Sequence, residues 1–173
     1  MKVALLVAPK QFRDESVSHS LPMLEKWGVS PTLVSYSTHD CVGYRGAVYK
    51  VGLNGGKLHP DDFDAIILVD GPGVDTYKLY DFRPLLDIMK LFAQKGKLIA
   101  TVGNAVKIIA RANIITGVKI ATPRDEESRR LVVLYRGVES DKHLELDKNI
   151  MTLNDGEKIE EMTDMLLGKL GAK

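Results

Sequence analysis

Three runs constrain this chain more than anything else in it: Val3–Ala8, Ala65–Val69 and Leu98–Val102. Each has the length of a strand, and nearly every side chain in each is apolar, so both faces need cover. That pattern belongs to a parallel sheet between two layers of helices, not to an antiparallel sheet with one wet face. The segments between the runs supply the helices. Val17, Leu21 and Leu24 recur at i, i+4 and i+7, and Gly28 closes that run. Leu85, Ile88 and Phe92 form the stripe of a second helix, with Asp81 as its expected cap, Pro84 in its first turn and Gly96 at its end. A third helix starts near Asn104, and a last one carries Ile159, Met162, Leu166 and Leu170 on one face. Strand and helix alternate, which predicts an α/β fold: a three-layer α/β/α sandwich around a doubly wound, mostly parallel sheet.

The remaining segments are shorter. Thr32–Tyr36 reads as a second strand, and Cys41–Val51, with Gly43 and Gly46, as an antiparallel excursion. Asn54-Gly55-Gly56 is a turn. Val118–Ala121, Leu131–Tyr135, His143–Leu146 and Ile150–Leu153 read as strands, the last two joined by a turn at Asp147-Lys148-Asn149. Asp125–Arg130 is a solvated charged segment whose Asp125/Arg129 and Glu126/Arg130 spacings suit i,i+4 pairing in a helix. There is no internal repeat, low-complexity tract or linker, so residues 1–173 are expected to form a single domain.

Composition excludes several function classes. With a net charge of +1, the chain has no global electrostatic case for nucleic acid or an anionic membrane. Its longest apolar runs are about six residues, far short of a bilayer span. The single cysteine, Cys41, excludes an intrachain disulfide and any multi-cysteine metal site. The N-terminus enters a strand at once and lacks the length and cleavage pattern of a signal peptide, so a reducing cytoplasm is the expected compartment.

Beyond the first strand-helix unit, the segments Val42–Gly46, Pro60–Gly71, Lys95–Ala100, Asn113–Gly117 and Asp147–Thr152 occur in an order and spacing that resemble the ThiJ/PfpI superfamily, the DJ-one proteins. The resemblance spans nearly the whole chain. It implies the class I glutamine amidotransferase-like, flavodoxin-like sandwich and a nucleophile elbow between the strand Leu98–Val102 and the following helix.

At that elbow family enzymes carry Cys-His; this sequence has Gly103-Asn104. They also place a glutamate at the start of the first helix, against the cysteine. Counting forward from Ala8, that position is Glu15; counting back from Gly28 it is Ser16, the register that also aligns the apolar stripe. The family's Pro-Gly-Gly after the third parallel strand is matched by Val69-Asp70-Gly71. A cysteine at a helix N-terminus is activated by the amides and dipole there, and a nearby imidazole and carboxylate orient it and handle protons. Glycine keeps the amides and loses the nucleophile. Gly103 should take a positive φ, as a tight strand-to-helix reversal demands. Asn104 reads as a helix cap, Glu15 as a first-turn dipole partner, and Gly71-Pro72-Gly73 as a turn facing the elbow across an electropositive niche.

The other reactive side chains are scattered. His39 and Cys41 share a face of an extended segment, but adjacent residues rarely converge on one reacting atom. His19 suits a surface or subunit contact, and His59 and His143 lack ligand spacing, so neither a metal site nor a cofactor is expected. Two readings follow. The first is a divergent, non-catalytic member: a pseudoenzyme holding a small anionic or carbonyl metabolite at Gly71, Pro72, Gly73, Gly103 and Asn104, or a regulatory subunit. The resemblance implies a homodimer or larger homo-oligomer, with Tyr44 and Tyr49 as contact residues. The alternative is a PfpI-like hydrolase of the intracellular peptidase, glyoxalase or deglycase kind, using Glu15, Ser16 or Thr101 as a replacement group.

Overall fold

In the computed structural model, which describes residues 1–173, the predicted alternation holds along most of the chain. It opens with β1 (Lys2–Leu6), a short β2 (Lys10–Phe12), a helix broken at His19 into α1 (Asp14–Ser18) and α2 (Ser20–Lys26), and β3 (Ser30–Ser35). β4 (Cys41–Gly43) and β5 (Val48–Tyr49) form an antiparallel hairpin, with Cys41 opposite Tyr49. β6 (Leu53–Asn54), β7 (Ala65–Leu68), α3 (Pro72–Thr76) and α4 (Arg83–Gln94) follow. Then come β8 (Leu98–Val102), α5 (Val106–Arg111), β9 (Lys119–Ala121), α6 (Glu126–Leu134) and β10 (Val138–Ser140). The hairpin β11 (Leu144–Asp147) and β12 (Ile150–Leu153) and the helix α7 (Ile159–Leu170) complete the chain.

The central sheet has seven strands in the order β11-β12-β8-β7-β1-β3-β6. Every neighbouring pair is parallel except β11 and β12, which turn back through Lys148 at φ 55°. Successive side chains along β1, β7 and β8 point to opposite faces, which is why their runs are apolar throughout. Ala4, Leu6, Ile66, Leu68 and Ile99 face α4 and α5 and pack with Leu85, Met89, Phe92 and Ile109. Leu5, Ile67, Ala100, Val102 and Met151 face α2 and α7 and pack with Leu24, Ile159, Met162 and Leu166. Burying each such side chain stabilises the fold by about 1.5–3 kcal/mol. No helix is long and apolar enough to cross a membrane.

Three local expectations need correction. Leu131–Tyr135 is not a strand; Leu131–Leu134 end α6, and Tyr135 caps it. The Asp125 carboxylate accepts from the Ser128 N–H at 2.9 Å and starts the helix, which turns Leu131 and Val132 inward and leaves Val133 and Leu134 exposed. Arg129 consequently pairs with Glu139, at 3.2 Å, rather than with Asp125. Asp81 does not cap α4. It lies in a short 3-10 turn and pairs with Arg111 at 2.5 Å, while Phe82 occupies the cap position without a side-chain bond. Pro84 removes one of the N–H groups that a cap would serve. β9 lies outside the central sheet, paired in parallel with β10.

Candidate functional site

The carboxyl ends of β1, β7 and β8 lie side by side, the place where open α/β sheets form ligand crevices. After β8 the chain reverses at Gly103, whose φ is +50°, passes through a 3-10 turn and enters α5. After β7 it reverses at Gly71, with φ 129° and ψ 167°, a region open only to glycine. A Cβ on Gly71 would stand 2.5 Å from the Gln11 carbonyl oxygen and 2.6 Å from the Arg13 nitrogen. The β2–α1 connection therefore rests directly on this turn, and the Arg13 N–H donates to the Asp70 carbonyl at 2.8 Å.

Asn104 does not cap α5. Its Oδ1 accepts from the Gly71 N–H at 3.2 Å, and its Nδ2 donates to the Gly71 carbonyl at 2.9 Å. The side chain thus ties the elbow to the neighbouring turn. Behind it, fully buried Lys107 is held by Asp75 and, at 3.6 Å, by Glu127, with its ammonium 4.6 Å from the centre of the Tyr80 ring. Elbow, α3 and α6 are joined through that one cation.

Asp70 occupies the space beside the elbow. A Cβ on Gly103 would stand 3.2 Å from Asp70 Oδ2, and a Cβ on Gly156 only 2.5 Å from the same oxygen. Two glycines therefore make room for this carboxyl. Ser16 Oγ donates to Oδ1 at 2.7 Å, and no other residue donates to either oxygen. Asp70 is only 7% exposed. Burial pushes its carboxyl above the usual aspartate range; the Ser16 hydrogen bond, the Arg13 guanidinium and its own backbone N–H oppose this, and Asp155 adds to it.

A cavity of about 470 Å³ opens over Asp70, walled by Arg13, Glu15, Arg45, Tyr44, Pro72 and Glu157, with Asp14 and Gly71 completing the lining. It is not the electropositive niche that the elbow amides implied. The lining holds four carboxylates against two guanidinium groups, and the Gly71 N–H is already bonded to Asn104. Glu15 lines the wall between Arg13, at 3.7 Å, and Arg45, at 3.3 Å. Ser16 is buried beneath Asp70. Pro72 belongs to the lining; Gly73, Gly103 and Asn104 lie behind it. Thr101 is fully buried with its hydroxyl unbonded and does not reach the cavity.

The other candidates are dispersed. Cys41 is buried in β4; burial raises its thiol above the ordinary range, a hydrogen bond from Ser35 opposes that, and Asp40 adds to it. His39 is exposed at a turn. Each remaining histidine meets one carboxylate: His19 with Glu160 at 3.2 Å, His59 with Asp61 at 3.5 Å and His143 with Glu161 at 2.5 Å. The last two partners escaped the spacing argument, His143 because its partner comes from α7. No three His, Cys, Asp or Glu side chains converge as metal ligands would. In the sequence Asp70 stands out only as the middle residue of the Val69-Asp70-Gly71 match to the family's Pro-Gly-Gly. Its signal was an acidic residue ending a buried parallel strand, immediately before Gly71-Pro72-Gly73.

The DJ-1/PfpI family profile matches residues 1–168. The chain belongs to the DJ-1/PfpI family. It is 30% identical over 155 residues to the uncharacterized protein MJ0967 of Methanocaldococcus jannaschii, covering 87% of this chain and 73% of that protein. It is 27% identical over 119 residues to a protein of Pyrococcus horikoshii named a deglycase, PH1704, covering 69% of this chain and 70% of that one. The crystal structure of a ThiJ/PfpI domain protein from Brachyspira murdochii superimposes with a TM-score of 0.91 at 22% identity, over 99% of this chain and 97% of that one. The DJ-1/PfpI fold expected from the order of segments is the one observed.

One pH effect follows from Asp70. Its carboxyl is raised in the folded protein, so the stability it contributes is complete below the unfolded aspartate value of about 3.9 and is lost as pH rises through its folded value. Asp70→Asn keeps the acceptor for Ser16 and removes that loss. Thermal melts across pH 3–8 should show the variant more stable than the parent at pH 7 and equal to it near pH 3. A constant difference at all pH values would refute the assignment.

Proposed function

We propose that this chain is a DJ-1/PfpI family protein that works without a thiol, holding a small polar carbonyl compound in the cavity over Asp70. The observation that carries the reading is the geometry at position 103. Glycine stands where the resemblance places the nucleophile, a carboxyl from β7 fills the adjacent space, and the only thiol is buried in another strand. Arg13 and Arg45 on the wall are suited to a carbonyl oxygen, since guanidinium donates in a planar fork.

The second reading is a replacement-group enzyme related to the proteins named deglycases. Of the candidates Glu15, Ser16 and Thr101, only Ser16 joins the carboxyl beside the elbow, and the Ser16–Asp70 hydrogen bond is the observation in its favour. Purified protein should show no deglycase, glyoxalase or peptidase turnover that alkylation or Cys41→Ser abolishes. Thiol-sensitive turnover would defeat the first reading, while turnover lost on Ser16→Ala or Asp70→Asn with Cys41 intact would establish the second.

Self-association belongs to the same proposal, with a cytoplasmic place of action. The β4–β5 hairpin exposes Tyr44 and Val48 beside the cavity mouth, a surface of the kind that interfaces use. Tyr49, partly exposed on the same hairpin, also packs on Phe12 with ring centres 6.0 Å apart. Light scattering should give at least the mass of two chains, and Tyr44→Glu should shift it toward one.

A further inference from the structure

We propose that the cavity recognises a compound carrying a primary ammonium group, received by Asp70 Oδ2 and Glu157, with its carbonyl end toward Arg45. The inference rests on the cavity reading above and narrows its ligand.

The argument is an inventory of charge and hydrogen-bond partners. Four carboxylates line the cavity, and two are fully engaged. Asp14 accepts the backbone N–H groups of Arg45 and Ala47, each at 2.9 Å, and so anchors the hairpin that forms one wall. Glu15 lies between the two guanidinium groups. Arg13 is shared further with Asp155 at 3.6 Å. Each cation of the wall stands within ion-pair distance of a carboxylate, though the buried Arg13 Nε carries no hydrogen bond. Asp70 Oδ2 and the Glu157 side chain carry no hydrogen bond or ion pair to another residue.

Asp70 is more than nine-tenths buried, yet Oδ2 is not among the sealed, unbonded polar atoms of the protein, so it keeps contact with the cavity. A buried carboxylate oxygen without a donor is a costly arrangement that a ligand donor relieves. An anion placed there would meet the Asp70 and Glu157 carboxylates, with only the Arg13 guanidinium, already shared with Glu15 and Asp155, to offset them. The approach is also narrow, because Oδ2 sits against the backbones of Gly103 and Gly156. A compact ammonium with three donors suits such a place better than a planar guanidinium. Arg45, with 76% of its side chain exposed, is free to turn toward an oxygen at the other end of a small ligand.

The test uses an isosteric pair, glycinamide and glycolamide, which differ in presenting an ammonium or a hydroxyl. Calorimetry on the full chain at pH 7 should show glycinamide binding at least tenfold more tightly than glycolamide, and acetate not binding. Asp70→Asn should abolish the preference, and Glu157→Gln should reduce it. Should Asp70→Asn fail to fold, Gly103→Ala places a methyl group 3.2 Å from Oδ2 and should cut the preference at least fivefold. Equal binding of the pair, or a preference untouched by these variants, overturns the ammonium assignment and leaves the cavity reading standing. Binding of neither compound overturns both.

Discussion

Gly71→Ala is expected to remove about 3–5 kcal/mol of stability, the sum of a glycine-only backbone conformation and a collision with fixed backbone. The contacts that a Cβ would meet are the Gln11 carbonyl, the Arg13 nitrogen and the Phe12 carbonyl carbon, at 2.5–2.8 Å, and none of them can rotate away. The substitution should also loosen the two bonds from Asn104 and the Arg13–Asp70 backbone bond, so the cavity floor suffers with the fold. Gly28→Ala is the control. Gly28 has φ +75° but nothing within 4 Å of its Cβ position, so only the left-handed conformation is penalised, about 1–2 kcal/mol. Urea denaturation of both variants decides the matter. Equal midpoints would mean that the β2–α1 connection does not rest on Gly71.

The second large effect concerns a thiol placed at the elbow. In a Cys41→Ser background, Gly103→Cys should cost about 1–2 kcal/mol for its left-handed backbone. The new thiol would lie against the Asp70 carboxyl, and a neighbouring negative charge disfavours thiolate. It should titrate above the ordinary thiol value of about 8.5. Adding Asp70→Asn removes the opposing charge and leaves the amides at the start of α5 to act alone, so the thiol should titrate below that value. At pH 7 the two proteins should differ at least tenfold in alkylation rate, the consequence of roughly one pK unit or more. Identical pH profiles would show that Asp70 does not face position 103. Asn104 is best left in place, because a histidine there would give up the clamp on Gly71.

The fold was legible because its evidence is local and redundant. Val3–Ala8, Ala65–Val69 and Leu98–Val102 are apolar on both faces, and that alone requires a covered parallel sheet. The resemblance reached the elbow and the positive φ of Gly103 for the same reason: both are properties of a few consecutive residues. Leu131–Tyr135 misled because a short apolar run reads equally as a strand or a helix face, and here the Asp125 cap decided it. The interior of the site was legible only in part: the helix register reached Ser16 and the strand-end motif reached Asp70, but not the bond between them. Asp70 and Ser16 are 54 residues apart, and nothing near either one signals the hydrogen bond. Gly156 gave no hint that its missing side chain accommodates a carboxyl from β7. Asn104 looked like a cap because its type favours caps, whereas its partner comes from a different strand-helix turn.

The shared space between Gly103, Gly156 and Asp70 has a consequence for descent. A chain with this arrangement is expected to need more than one substitution to present a thiolate at position 103. Cysteine at position 103 alone meets a carboxyl that keeps it protonated, and a change at Asp70 alone creates no nucleophile while removing the group that fills the hollow. On that expectation both steps are needed together. On the proposed reading, the carboxyl beside the elbow would act as a ratchet against a thiolate at that turn.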